Sequence, residues 1–347
     1  MRLKFLQSTL VERVPELTWM DAGTKNRTKA KILEMVMNLG YPDFVVNTTE
    51  LDATAVNVAV VANETIWQTY QKYLKQDVEG YATMLSHNRS RFGWSYADVS
   101  EVNAGYKAAS NNLEFPAGIL QRPLFHPAFP KFWNFGSVAS VLGHEMSHGF
   151  DKSGSQFDGQ GLEVNWWSAE SAANFQRLGG CMVDFYSRYE IEGIRVNGNL
   201  TLDENIADVG GLSLAFRSYR RWKELAPVLE RRRADDDYEA EDILTDDEGD
   251  DDDEEEESID VEDDDNEEGF PLRGISLTDE QLFFVAFGQT WCEAARRQQQ
   301  LDAVKTWEHC PQPARTEAAI ALIPEFARVF HCRPRSKMNP EKRCDLW

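Results

Sequence analysis

No run of apolar residues in this chain approaches the roughly 20 that a membrane-spanning helix needs, so no span is expected within it. The opening MRLKFLQSTLVERVPELTW places charged and polar side chains where a secretory signal carries an unbroken apolar stretch, which excludes a cleavable signal there. Cysteine is scarce. The five residues, Cys181, Cys292, Cys310, Cys332 and Cys344, are odd in number and nowhere spaced CxxC, so neither a zinc ribbon nor a dithiol redox motif is present. Basic residues are missing altogether from residues 235–268, where 24 acidic side chains gather. That tract accounts for the formal charge of −23, because the other residues hold 36 Lys or Arg against 35 Asp or Glu. A nearly neutral remainder gives no support to nucleic-acid binding. The tract itself has too few apolar side chains to offset the entropy of ordering, so about 230–269 is expected to be a disordered acidic insertion. A cation-binding module is the weaker reading, since the spaced Gly and apolar positions of an EF-hand loop are absent.

What the sequence does hold is a core. Of its 347 residues, 42% are hydrophobic and 11% aromatic, enough for a substantial folded unit. Residues 1–40 repeat apolar side chains at three and four spacing and end at Gly40 with Pro42 just beyond, which predicts helix. A second helical set is expected over 51–85. Residues 102–125 alternate polar and apolar between Pro and Gly, as strand and loop do. Helical patterning returns as one segment over 132–150 and again over 202–225, with Pro227 closing it. Thr278 and Gln281 form a capping box that opens a helix to about residue 300. Five N-x-[ST] sequons, at Asn26, Asn47, Asn63, Asn88 and Asn199, tilt the expectation toward a lumenal or extracellular setting. Glycosylation signals without an entry signal suggest a chain that begins partway through a longer product.

The chemistry concentrates in His144-Glu145-Met146-Ser147-His148. On a helix, His144 and His148 lie one turn apart on a common face, so both imidazoles can bind one zinc ion while Glu145 stands ready to take a proton from a water beside it. Two surface histidines on an amphipathic helix are the competing reading. A catalytic zinc wants a third protein ligand and an open position. The metzincin solution puts a histidine six residues after the second one, and that position is Gly154. The alternative is a glutamate on a later helix, and Glu204-Asn205-Ile206-Ala207-Asp208 offers Glu204 as ligand and Asp208 as acceptor for the free ring N–H of His144. Val209-Gly210-Gly211 follows, where close packing against a neighbour is feasible. Asp151, three residues past His148, is the analogous acceptor for that ring.

HEMSHGFD, ENIADVGG, VNAGY, NLEFPAGILQRPLF and the terminal MNPEKRCDLW together resemble the neprilysin and endothelin-converting enzyme family of zinc metallopeptidases. The resemblance implies an α+β, mainly α fold, a thermolysin-like zincin (gluzincin) catalytic domain with an HExxH helix and an ExxxD helix. Residues 1–45 resemble the end of the family's N-terminal helical region, 46–102 a helical connection, and 103–347 the zinc peptidase domain. It implies one Zn2+ per chain on His144, His148 and Glu204, with Glu145 as general base and Asp208 orienting a ligand. Asn103 and Ala104 match the pair that hydrogen-bonds the substrate backbone, although the family usually has an aromatic residue where this chain has Gly105. His309 matches the histidine that stabilises the transition state, and Arg315 the arginine that supports the substrate carbonyl. Ile119, Leu124, Val141 and Trp291 match positions lining the pocket for the residue after the scissile bond, which is large and apolar. The implied reaction is cleavage of oligopeptides on the amino side of such residues.

The family also implies a disulfide between Cys181 and Cys344, and partners for Cys292 and Cys332 near a membrane anchor that this chain does not carry; Cys310 has no counterpart. It places such proteins on the extracellular side of the plasma membrane or in secretion, with membrane contact only through that anchor, and with peptides rather than nucleic acid as partners. The second hypothesis is a truncated, catalytically silent relative that serves as a binding or scaffold protein. Every matched catalytic position is intact, which argues against decay of the site.

Overall fold

The computed structural model describes residues 3–54, 61–86, 91–94, 99–235 and 275–347; of the acidic insertion expected at about 230–269, everything past residue 235 lies outside them. The described residues are mainly helical with one small three-stranded sheet and a two-stranded one, Glu190–Ile191 against Ile194–Arg195, the α+β class expected. The first two helices are α1 (Leu3–Arg13) and α2 (Ala22–Leu33). Asp21 caps α2 by accepting the Gly23 and Thr24 backbone N–H groups at 2.8 and 3.0 Å. The helical pattern predicted to reach Gly40 stops short. Strand β1 (Val36–Gly40) runs parallel to β3 (Asn112–Pro116), with Val36 opposite Asn112 and Gly40 opposite Pro116. Strand β2 (Gly105–Lys107) pairs antiparallel on the other side of β3. Five residues of VMNLG fit either period, and a strand partner far along the chain decides between them. Helices α3 (Thr48–Thr54) and α4 (Ile66–Ser86) occupy the predicted helical connection.

The single helix expected over 132–150 is two: α5 (Lys131–Gly136) and α6 (Val138–His148). Ser137 leaves the helical conformation between them (φ −97°, ψ −91°); its hydroxyl lies 2.6 Å from the Leu124 carbonyl and 2.7 Å from that of Trp133, which also accepts the Ser137 backbone N–H. After α7 (Ala169–Tyr186), helix α8 (Leu202–Asp235) continues through Pro227 instead of ending before it. Pro227 is exposed, so a carbonyl robbed of its partner there can turn to water. Both bonds of the capping box are made, Gln281 N–H to Thr278 Oγ1 at 3.3 Å and Thr278 N–H to Gln281 Oε1 at 2.9 Å. The helix they open, α9 (Asp279–Thr290), ends about ten residues earlier than predicted, and α10 (Arg297–Thr306) starts anew. Helices α11 (Gln312–Leu322) and α12 (Pro324–Val329) complete the described set.

The C-terminal residues fold under this assembly. Trp347 packs against Phe150 at 5.4 Å and Trp19 at 5.8 Å between ring centroids, and Trp19 Nε1 donates to the Leu346 carbonyl at 2.8 Å. The Cys181–Cys344 disulfide is present, with Cα atoms 5.7 Å apart, and ties α7 to the terminal segment. Cys292, Cys310 and Cys332 are free thiols. No helix among the described residues is long and apolar enough to cross a membrane.

Candidate metal centre

The site is built where α6 crosses α8. Every residue of α6 from Val138 to Ser147 is buried, so His144 faces protein and not solvent, and His148 at the helix end is partly buried. Glycines let the two helices approach: a Cβ on Gly143 would lie 2.8 Å from the Gly211 carbonyl oxygen, and one on Gly211 would lie 2.6 Å from that of Ser140. At this separation the first two turns of α8 bring Glu204 and Asp208, one turn apart, over the histidine face of α6. His144 Nε2 lies 3.0 Å from His148 Nε2 and 3.3 Å from Glu204 Oε2, and His148 Nε2 lies 3.7 Å from Glu204 Oε1. All three donor atoms fall within 4.8 Å of one another, a single convergent group.

Outer carboxylates fix the two rings. His148 Nδ1 meets Asp151 Oδ2 at 2.7 Å, while the other Asp151 oxygen accepts the Gly154 backbone N–H at 2.6 Å. His144 Nδ1 lies 2.9 Å from Asp208 Oδ1, although off the angle of a full hydrogen bond. Asp208 is in turn gripped by Arg315, whose Nε and terminal nitrogen donate at 2.7 and 2.8 Å. The guanidinium stacks 3.8 Å over Trp291. His309, half-exposed, brings Nε2 to 2.9 Å from Glu204 Oε2.

The electrostatics follow from these contacts. Burial would depress the His144 imidazole, but Asp208 and Glu204 outweigh it and raise the pKa from 6.5 to about 10. His148 is raised as well, burial being offset mainly by Asp151. Burial pushes Glu204 and Asp208 upward; His144 and His309 hold Glu204 low, and Arg315 with His144 hold Asp208 low. With each Nδ1 turned to a carboxylate, each Nε2 lone pair points inward at the other. Two ring nitrogens 3.0 Å apart cannot both present lone pairs to each other, and either a proton on one ring or a metal ion between them relieves the contact. Glu204 Oε2 is buried with no hydrogen bond of sound geometry, an acceptor aimed at the same point. Two imidazoles and a carboxylate around one point suit zinc, and protons and metal compete for these same atoms.

The remaining expected residues fall around this centre in different degrees. Glu145 is buried on α6 within Coulombic reach of His148 and Arg315. Val141 lies one turn before His144, and Trp291 lies under Arg315 with its indole N–H buried and unpartnered. Leu124 is partly buried, and its carbonyl holds the Ser137 break. Ile119 is core. Asn103, exposed, and Ala104, buried, immediately precede β2. Arg315 is far more buried than a lone loop arginine would suggest, at 5% exposed.

Two residues escaped the sequence reading. Asp203 accepts Lys152 N–H at 3.1 Å and the Ser153 hydroxyl at 2.5 Å, tying the turn after α6 to the start of α8. Cys310 places its thiol 3.1 Å from Asn205 Oδ1 and 3.3 Å from Thr201 Oγ1, seating the peptide that carries His309 against α8; burial pushes that thiol up to about 12. Asp203 carried a weak signal as the neighbour of Glu204, and Cys310 carried none.

A buried helix with two imidazoles one turn apart, crossed by a helix that adds a carboxylate, defines the thermolysin-like class of zinc peptidase fold. Comparison with known proteins narrows the class. The sequence profile described as peptidase family M13 matches residues 103–243 and 261–346. The chain is 32% identical to human neprilysin over 346 residues, 99% of this chain and 40% of that protein. It is 33% identical to neprilysin-1 of Caenorhabditis elegans over 331 residues, 95% of this chain and 39% of that protein. Among solved structures, PepO from Lactobacillus rhamnosis superposes with a TM-score of 0.75 at 23% identity, over 99% of this chain and 46% of that one. A zinc metalloprotease of Mycobacterium tuberculosis solved with an inhibitor gives 0.75 at 24% identity, over 99% and 46%. These two likenesses establish the fold. The chain belongs to peptidase family M13. It spans about two fifths of the length of the curated relatives it matches.

Proposed function

We propose that the chain is the catalytic part of a zinc metalloendopeptidase that holds one zinc ion on His144, His148 and Glu204. The observation that carries this reading is the convergence of those three donor groups within 4.8 Å at the crossing of α6 and α8, in a member of a peptidase family. Residues 103–347 are the catalytic region, 1–45 the end of an N-terminal helical region and 46–102 a helical connection.

Zinc supplies Lewis acidity at such a site, to a water and to a peptide carbonyl. Glu145, buried beside both histidines, takes a proton from the attacking water and passes it to the leaving amine. Asp208 and Asp151 keep the two ring Nε2 atoms turned inward. His309 is exposed enough to meet a substrate and donates an N–H to the oxyanion as it forms; loss of one such donor typically costs about 10²–10³ in rate. Arg315 acts on the substrate carbonyl and holds Asp208 in place. Asn103 and Ala104 bind the substrate backbone along the edge next to β2, while Ile119, Leu124, Val141 and Trp291 contribute to an apolar pocket. The substrates are oligopeptides cut on the amino side of large hydrophobic residues.

An extracellular or secreted setting fits the Cys181–Cys344 disulfide and the exposure of the described sequon residues Asn26, Asn47, Asn63 and Asn199; Asn88 lies outside the described residues. The test is Glu145→Gln in the purified chain. Zinc content equal to the parent's with hydrolysis of a quenched hydrophobic peptide abolished supports the reading, and His144→Ala loses both. Retained turnover in Glu145→Gln overturns it.

A further inference from the structure

Helix α2 lies outside the residues matched by the family profile, yet one of its side chains reaches the turn that follows the histidine helix. Lys31 is 1% exposed, and its ammonium donates to three backbone carbonyls of that turn: Gly149 at 2.7 Å, Gly154 at 2.8 Å and Phe157 at 2.6 Å. All three N–H donors are thereby used. The charge also lies 5.4 Å from the Phe150 ring centroid and 5.7 Å from that of Trp166. Burying an ammonium is expensive, and a methionine would fill the same volume without that penalty, so the three-point grip calls for a role.

The gripped turn carries Asp151. Its Oδ2 meets His148 Nδ1 at 2.7 Å, while its Oδ1 accepts the N–H of Gly154, the same residue whose carbonyl Lys31 holds. Gly149 directly follows His148 and is the first carbonyl in the grip. Lys31 therefore fixes both ends of the short loop from which Asp151 reaches back to the ring. Asp203 holds the intervening Lys152 and Ser153 from the α8 side and makes no bond to the carbonyls that Lys31 engages.

We propose that Lys31 is a positioning residue of the metal centre, holding the 149–157 turn so that Asp151 orients His148 for zinc. This rests on the reading of His148 as a zinc ligand. The consequence is that the N-terminal helices form part of the catalytic unit and are not a separable neighbour.

The test is a cycle of Lys31→Met, Asp151→Asn and the double variant in the full chain, with zinc affinity read by competition against a chelator and thermal unfolding recorded beside it. Each single change is expected to weaken zinc binding about 10- to 100-fold, the range for partners behind a metal ligand, and the double variant to be no weaker than Asp151→Asn alone. Zinc binding in Lys31→Met within twofold of the parent, whatever its melting temperature, overturns the proposal, as does a double variant in which the two losses multiply. Should Lys31→Met not fold, Lys31→Arg keeps the cation but cannot converge three N–H groups on these carbonyls, and the same criteria apply to it. A parent chain that binds no zinc overturns the metal-centre reading and this proposal with it, whereas a zinc-binding parent with an indifferent Lys31 variant overturns this proposal alone.

Discussion

Alanine at Gly211 would set a methyl carbon 2.6 Å from the Ser140 carbonyl oxygen and closer still to the His144 backbone nitrogen. Both are backbone atoms of a buried helix, with no side chain free to swing aside. Ordinary contact begins at 3.4 Å and the nearest atom, the His144 nitrogen, lies at 2.4 Å, so α6 and α8 must part by about 1 Å in an interior that has little slack. Metal sites hold their ligand distances to about 0.2 Å, so a separation several times larger pulls Glu204 away from the histidine pair. Overpacking of this kind costs about 1–3 kcal/mol, against which alanine's better helix propensity returns about 1 kcal/mol. Gly180, in the interior of α7, is the matched control. It is exposed with nothing within 4 Å of an added Cβ, so Gly180→Ala is expected to stabilise by about 0.5–1 kcal/mol. Urea unfolding and chelator competition on both variants should show Gly211→Ala less stable and at least tenfold weaker for zinc, with Gly180→Ala unchanged for zinc. Gly211→Ala with the parent's stability and zinc affinity would mean that the glycine contact does not set the distance between the helices.

Arg315→Met strands the Asp208 carboxylate in the interior and is expected to cost about 3–5 kcal/mol, with part of the loss recovered when Asp208→Asn is added; denaturant titration of the singles and the double checks this. Cys344→Ser opens a link between residues 163 apart in sequence, for which chain entropy gives about 5 kcal/mol as an upper figure, and reduction of the parent should lower its melting temperature to match. The third concerns pH. Because the folded His144 pKa is raised from 6.5 to about 10, its contribution to the zinc-free fold is fully present below pH 6.5 and fades as pH rises toward 10. Zinc needs the same lone pair, so the rise in melting temperature that zinc confers should grow over that window, and a zinc shift that is flat with pH contradicts the assignment.

The site was more legible in the sequence than the fold around it. HExxH and ExxxD are local patterns: one helical turn sets the spacing within each, so their residues share a face whatever the rest of the chain does. What brings the two faces together, the glycine contact of α6 and α8, was only hinted at by Gly210 and Gly211. Residues 36–40 were misread because five residues fit two periods and the deciding partner, β3, is remote. The break at Ser137 is not legible because its contact with the Leu124 carbonyl is remote in sequence, and Pro227 misleads because α8 carries an exposed proline in its interior. Arg315 was singled out by the family resemblance, but its grip on Asp208 and the packing of Cys310 on α8 were not legible, since a charge or a thiol gives no local sign of which helix it meets. Lys31 left a trace that can be used elsewhere: with Thr24, Thr28 and Ile32 it lies on the buried side of α2, and a lysine in an otherwise inward row points to a caged ammonium.

The central claim is that one zinc ion sits on two imidazoles and one carboxylate. X-ray absorption at the zinc edge of the purified, zinc-loaded chain tests it most directly. The account predicts about one zinc per chain, with two imidazole nitrogens at about 2.0–2.1 Å, oxygen in the remaining positions and no sulfur. A sulfur shell near about 2.3 Å, or a first shell without imidazole, would contradict it.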